Sequence, residues 1–369
     1  MVIGIDASRA NKIQKTGVEW YSYHVIEELK RVIPLEVTVR LYSDQALTHD
    51  LAYLPPNWES LVLRWPPRYL WTVLRLSFEM LVRKPDLLFV PGSALPFMLP
   101  KRTITTIPDI GYVRLPSAYR ARSRWYLHLN VRRAVKRCWR IITVSEYSKR
   151  ELINVYGIES RRVAVTLLAP HLSTKSDEGK LSNSNCLISG PYFIYLGRYE
   201  KKKNVDGIVQ AFARFREVNP DYKLVLVGSR GYGAELIDQI LKKIGSERIV
   251  VLPWVKDAER MALLTGARAL LFPTRYEGFG MPILEAFSVG VPVVATSGGA
   301  AEEIAGSAAL FVSPENEDEL VEAMREVAAN DEQCSLLTKK GYERVREFTW
   351  QRTAKETWQV LLDSLYGTL

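Results

Sequence analysis

The stretch from Ala267 to Glu303 constrains this chain most, because two short apolar runs there flank a glycine-bearing loop and a helix-like segment. Ala269-Leu270-Leu271-Phe272 holds no polar residue and is closed by Pro273, the pattern of a strand buried on both faces of a parallel sheet. The polar loop Thr274-Arg275-Tyr276-Glu277-Gly278-Phe279-Gly280 follows. Pro282 stands where a first helical turn should open, and Ile283, Leu284, Ala286 and Phe287 supply an apolar helical face. Gly290 stops that helix, and Val291-Pro292-Val293-Val294-Ala295 starts the next strand. A glycine loop opening onto a helix leaves N–H groups free at the positive end of the helix dipole, which suits a phosphate-bearing ligand.

Two carboxylates bracket the turn. On one continuous helix Glu277 and Glu285 would lie about two turns apart and could not converge. With the helix starting near Pro282, both can face one ligand lying across its N-terminus. A lone glutamate pair would be read as a surface turn of any α/β domain, but the whole string is far more specific. Glu277-Gly278-Phe279-Gly280-Met281-Pro282…Glu285-Ala286 resembles the Glu-x7-Glu signature of the retaining nucleotide-sugar glycosyltransferases of family 4. The resemblance implies α/β architecture of the GT-B type: two Rossmann-like, doubly wound domains facing a central cleft, with a last helix returning to the N-terminal domain. It further implies that the second domain holds most of the donor and the first the acceptor.

At 369 residues the chain accommodates two domains of ordinary size, and 47% hydrophobic content supplies two cores. Cys138, Cys186 and Cys334 are odd in number and far apart, so no disulfide framework or zinc spacing can be built, as expected in a reducing compartment. Met1 to Asp6 enters a strand without the basic and apolar regions of a signal peptide, and no run of 18 apolar residues occurs. A cytoplasmic protein, peripheral on the inner face of the plasma membrane, is expected. The net charge of +9 is uneven: residues 1–180 carry 28 Lys and Arg against 16 Asp and Glu, whereas residues 181–369 carry 22 against 25. An anionic partner is therefore expected for the first half alone.

Along the chain, Val2 to Ile5 reads as a strand, followed by a loop to Gly17 and a helix from Glu19 to Val32. Gly17 matches the glycine that the resemblance places against the donor phosphates; a plain turn glycine is the alternative. Leu35 to Tyr42 is expected as the second strand. Tyr69 to Val82 reads as a helix surrounded by Arg64, Arg68, Arg75, Arg83 and Lys84, whose apolar face with Trp65, Trp71, Leu70, Leu74 and Phe78 is expected to pack on the sheet rather than enter a membrane interface. After a strand from Thr103 to Ile107, Pro108 occupies the position where the family commonly carries a histidine, while Asp109 remains. Asp109 is thus the candidate for orienting the acceptor hydroxyl or taking its proton, with a helix cap or turn as the alternative. The segment from Arg114 to Arg140 interleaves Arg120, Arg122, Arg124, Arg132, Arg133 and Lys136 with Trp125, Tyr126 and Leu129, either a solvated charge run or a membrane-facing helix. Ser148 with Glu151 fits a capping box.

The expected domains are 1–172, basic and acceptor-binding; a polar linker, 173–189; the donor-binding domain, 190–349; and a returning C-terminal helix, 350–369. In the second domain a strand from Tyr192 to Leu196 precedes Gly197-Arg198-Tyr199-Glu200-Lys201-Lys202-Lys203-Asn204. Two fixed cations can neutralise a leaving nucleoside diphosphate without metal. The family carries an Arg and a Lys here for that purpose, matched by Arg198 and Lys203; a solvated basic turn is the alternative. The resemblance also points to base contact near Val255, sugar hydroxyls at Glu277 and the ribose at Glu285.

The expected chemistry is hexose transfer, of mannose from GDP-mannose, onto a lipid-linked saccharide in surface polysaccharide synthesis of the O-antigen type. Retention by front-face attack follows, because no nucleophile pair is evident. No Asp-x-Asp occurs, so neither metal nor cofactor is expected beyond the nucleotide sugar itself. The alternatives are a soluble sugar acceptor on the same fold, and a basic nucleic-acid-binding protein, disfavoured because no such motif occurs.

Overall fold

The computed structural model describes residues 1–65, 70–171, 188–245 and 247–367. The first part of the chain reads β1 (Val2–Asp6), α1 (Gly17–Val32), β2 (Thr38–Ser43), β3 (Trp58–Val62), α2 (Leu76–Val82), β4 (Leu87–Val90), β5 (Thr103–Thr106), α3 (Gly111–Arg114), α4 (Ala121–Arg137), β6 (Arg140–Thr143), α5 (Glu146–Tyr156) and β7 (Val163–Val165). The second part reads β8 (Tyr192–Leu196), α6 (Val205–Phe215), β9 (Lys223–Val227), α7 (Ala234–Ile244), β10 (Ile249–Leu252), α8 (Asp257–Thr265), β11 (Ala269–Phe272), α9 (Met281–Ser288), β12 (Val293–Thr296), α10 (Gly299–Ala305), β13 (Leu310–Val312), α11 (Glu317–Ala329), α12 (Asp331–Val345) and α13 (Trp350–Leu365).

Two compact units result. One comprises Met1–Ile110, Arg122–Leu168 and Phe348–Leu369; the other comprises Gly111–Ala121 and Ala169–Glu347. Each is a Rossmann-like α/β unit on a parallel sheet. The first has strand order β3-β2-β1-β4-β5-β6-β7, and the second β10-β9-β8-β11-β12-β13. Parallel strands joined through crossover helices are covered on both faces, so their sequences are nearly all apolar. Ile3, Ile5, Leu87, Leu88 and Phe89 are fully buried in the first sheet, as are Phe193 to Tyr195 and Ala269 to Leu271 in the second.

The last helix belongs to the first unit. The Trp350 ring stacks on His24 of α1 at 4.6 Å. Thr353 Oγ1 donates to the Leu167 carbonyl at 2.6 Å, and Arg140 Nη1 lies 3.3 Å from Asp363 Oδ2.

Several local expectations are corrected. β2 begins at Thr38 rather than Leu35, because Val37 N–H closes a turn on the Pro34 carbonyl and leaves Leu35 exposed. β10 ends at Leu252, whereas Val250 to Val255 reads as one strand in the sequence. The cap of α5 is Ser145, whose side chain accepts from Ser148 N–H, while the Ser148 hydroxyl donates to Pro108 O at 3.0 Å. The segment before β4 is a π-turn, Trp71–Arg75, running into α2. Trp71, Leu76 and Met80 pack inward, but Leu70, Leu74 and Phe78 are exposed, contrary to the expected packing of that face. Arg68 and Tyr69, Cys186, and residues 173–187 of the expected linker lie outside the described residues. Among the described residues no helix is long and apolar enough to cross a membrane.

Candidate active site

In the second unit, strand order reverses between β8 and β11, the switch point at whose strand ends open α/β sheets place a ligand crevice. The loops leaving those ends carry Arg198 and Lys203 on one side and Glu277 to Pro282 on the other. Gly197 leaves β8 at φ +148°, packed against Gly228 from the end of β9. A Cβ on Gly228 would stand 1.8 Å from the Gly197 carbonyl oxygen, so the two strand ends approach closely only without side chains. Beneath the turn, the buried Tyr195 hydroxyl donates to the Arg198 carbonyl at 2.8 Å. Burial, and after it the charges of Glu277 and Glu200, push that hydroxyl well above its usual pKa.

Lys201–Lys203 form a single 3-10 turn, and Asn204 after it sits in the left-handed region at φ 57°. Its side-chain amide donates to Pro273 O at 3.0 Å and Pro314 O at 2.6 Å, tying the β8 turn to the loops after β11 and β13. Arg275 adds a second tie, donating to both carboxylate oxygens of Asp206 at 2.8 and 3.0 Å and to Glu315 Oε1 at 2.8 Å. Bidentate geometry of this kind sets orientation as well as contact.

These ties bring two of the expected residues into direct contact. Lys203 Nζ is ion-paired with Glu277 Oε2, and both side chains are only 16% exposed. The same ammonium lies 5.5 Å from the centroid of the Phe272 ring. Arg198 is more open, with its side chain 54% exposed and Nη1 3.0 Å from Glu200 Oε1.

Gly280 caps α9 at φ +111°, a conformation in which a β-carbon would also press on Ile283 at 3.0 Å. The helix opens at Met281, one residue before Pro282, and its first turn carries no carboxylate. Gly278, Phe279 and Gly280 are buried, and Met281 and Pro282 are half-buried. Gly290, at φ +75°, follows the helix end as expected.

Glu285 lies inside α9 with its side chain 3% exposed, and Arg260 Nη1 of α8 meets its Oε2 at 2.8 Å. Arg260 also approaches Asp257 Oδ1 at 3.4 Å, and Asp257 Oδ2 is 3.2 Å from His171 Nε2. Sequence reasoning missed Arg260. A buried carboxylate demands a cation, but no motif spacing says which one. Asn204 is equally silent in the sequence: its position before a helix reads as an ordinary cap, and its long-range role needs the folded loops.

The remaining expected residues lie on other elements. Val255 is buried on the connection between β10 and α8. In the first unit, Gly17 opens α1 beyond the end of β1, which neighbours the order reversal between β1 and β4. Its φ is not positive, so turn geometry does not by itself require glycine. Asp109 is half-buried, three residues past β5 and two before α3.

Chemically, the crevice pairs one cation with one carboxylate, adds a second cation within the same turn, and faces them with a helix N-terminus. It can hold an anionic group and hydrogen-bond hydroxyls beside it.

Residues 15–168 match the model described as Glycosyltransferase Family 4, and residues 188–344 the model described as Glycosyl transferases group 1. The chain is 29% identical over 277 residues to O-antigen chain mannosyltransferase B of Escherichia coli, covering 72% of this chain and 71% of that protein. It is 25% identical over 336 residues to O-antigen chain mannosyltransferase RfbU of Salmonella typhimurium, covering 88% and 90%. Among solved structures, Anabaena HepE in complex with UDP and glucose superposes with a TM-score of 0.74 at 18% identity, over 98% of this chain and all of that one.

Proposed function

Because the chain belongs to the family 4 glycosyltransferases of GT-B fold, we propose that it transfers mannose from GDP-mannose to a lipid-linked oligosaccharide with retention of anomeric configuration. The observation that carries the donor half is the Lys203–Glu277 pair beside Arg198 at the β8/β11 reversal. The choice of mannose is supported by the two curated relatives named as O-antigen chain mannosyltransferases. It also accords with the loop Tyr276 to Pro282.

In this reading the donor diphosphate enters between the β8 turn and the N-terminus of α9. Lys203 exchanges its partner, leaving Glu277 for a phosphate oxygen, and Glu277 is released to accept hydrogen bonds from the sugar hydroxyls. Arg198, half-exposed beside Glu200, closes on the same diphosphate. The acceptor oxygen forms its bond to C1 on the face that the leaving oxygen departs, the C1–O bond to phosphate breaks, and the acceptor proton passes to the departing phosphate. Two cations and the N–H groups of α9 bear the charge that develops on the diphosphate, so no divalent ion is needed. Glu285 receives the ribose hydroxyls, with Arg260 fixing its carboxylate, and Val255 lies beside the base. In the first unit, Asp109 is assigned to the acceptor hydroxyl and Gly17 to the donor phosphates. The excess positive charge of residues 1–180 favours work at an anionic membrane face.

The test is incubation of purified protein with labelled GDP-mannose, UDP-glucose and UDP-N-acetylglucosamine, each with extracted lipid-linked saccharide or with soluble sugars. Label should move from GDP-mannose into the lipid fraction. Transfer only to soluble sugars removes the lipid acceptor, and no turnover of any donor removes the enzyme reading.

A further inference from the structure

The first unit carries an apolar stripe that its own core leaves uncovered. Leu70, Leu74, Phe78, Leu81 and Val82 recur at helical spacing through the π-turn and α2, and all five are exposed, Phe78 at 59% and Leu81 at 61%. The opposite side of the same segment already fills the core through Trp71, Leu76 and Met80. A helix apolar on both sides is expected only where something other than water meets the outer one.

The stripe is continuous with two further elements. Phe97 N–H donates to the Val73 carbonyl at 3.1 Å and to Ser77 Oγ at 2.5 Å, seating the loop of Phe97 and Met98 beside α2. Phe97 is 66% exposed and Met98 42%. Arg133 of α4 then donates to the Leu95 and Pro96 carbonyls, and its guanidinium covers the Phe97 ring at 5.1 Å. One and two turns earlier on that helix face, Leu129 and Tyr126 are also exposed.

Charge identifies the occupant. Residues 70–84, 95–102 and 121–137 together hold one carboxylate, Glu79, and it is buried against Arg75. Around the apolar stripe stand the exposed Arg83, Lys84, Arg124, Arg132, Lys136 and Arg137. A second copy of the chain would set these cations against their like in a two-fold contact, which is unfavourable. An apolar ridge bordered by these cations fits a bilayer bearing anionic headgroups, with Phe and Leu at the acyl boundary and Lys and Arg among the phosphates.

We infer that α2, the Phe97–Met98 loop and α4 form one membrane-docking face, with insertion through the Phe78–Phe97 ridge and not through the basic helix alone. The inference rests on the reading of a membrane-borne acceptor, but its test contains neither donor nor acceptor and so stands or falls separately. Vesicles of phosphatidylethanolamine with phosphatidylglycerol, and vesicles of phosphatidylcholine, are floated at low salt with wild type, Phe78→Asp/Phe97→Asp and Arg132→Ser/Lys136→Ser. Wild type should float with the anionic vesicles only. Each double variant should lose about tenfold or more in partitioning, and the serine variant should resemble wild type at high salt. Unchanged thermal unfolding of the aspartate variant establishes that it is folded; Phe78→Ser alone, tested alongside, should show an intermediate loss. Absence of wild-type flotation, or unchanged flotation of the aspartate variant, overturns the inference. So does a concentration-dependent dimer without lipid that the aspartate substitutions dissolve.

Discussion

Arg260 Nη1 lies 2.8 Å from Glu285 Oε2, joining α8 to α9 across the interior of the second unit. Neither side chain is more than 14% exposed. Through Asp257 the same arginine reaches His171, so the carboxylate assigned to the ribose is oriented by a chain of polar contacts beginning at residue 171. A carboxylate buried this deeply is held in one direction by its partner, the orientation that the proposed ribose contact needs.

Arg260→Ala should therefore cost about 3 kcal/mol of stability, since it strands a buried charge. Urea unfolding checks this. Adding Glu285→Gln to Arg260→Ala should restore part of the loss, because a neutral amide is cheaper to bury than an unpaired carboxylate. An unaltered midpoint in the single variant would show that the pair contributes nothing.

Gly228→Ala tests the close approach of the two strand ends. The added methyl would stand 1.8 Å from the Gly197 carbonyl. Backbone must shift, at a cost of about 2 kcal/mol or more. Lower thermal stability with weakened nucleotide binding is expected, because the Arg198 turn rides on Gly197.

Buried tyrosines give the alkaline limit of stability. Burial pushes the Tyr21 and Tyr42 hydroxyls up to about 12, from an ordinary value of 10.0. A group whose folded pKa is raised stabilises fully below its unfolded pKa and loses that contribution as pH rises toward the folded one. Stability from these residues should be flat below pH 10 and fall between pH 10 and 12. Tyrosinate absorbance should show them ionising together with loss of circular dichroism; independent ionisation at pH 10 in folded protein would contradict the assignment.

The strand–turn–helix unit from β11 to α9 is legible in the sequence because its signals are local. Pro273, Gly280, Pro282 and Gly290 mark the ends of β11 and α9, and the observed helix departs by one residue from the expected start. Parallel strands buried on both faces are read as plain apolar runs, which made the α/β class plain. What stayed hidden depends on contacts distant in sequence. Arg260 pairs with a residue 25 positions away, and Asn204 reaches Pro314, 110 positions away. The outward stripe of α2 is illegible for another reason: Leu74 and Phe78 look the same in sequence whether they face the core or the exterior. Asp109 beside Pro108 remained a candidate because its family partner, a histidine, is replaced.

The central claim is that Lys203 and Glu277 exchange with each other for the donor. It is tested most directly by single-turnover transfer from labelled GDP-mannose by wild type, Lys203→Ala and Glu277→Ala. Lys203→Ala should lower the rate about 100-fold or more, as loss of a fixed donor to developing charge does. Glu277→Ala should lower it as well while leaving diphosphate binding by free GDP intact, since the carboxylate serves the sugar and not the phosphates. Wild-type rates in both variants would contradict the account.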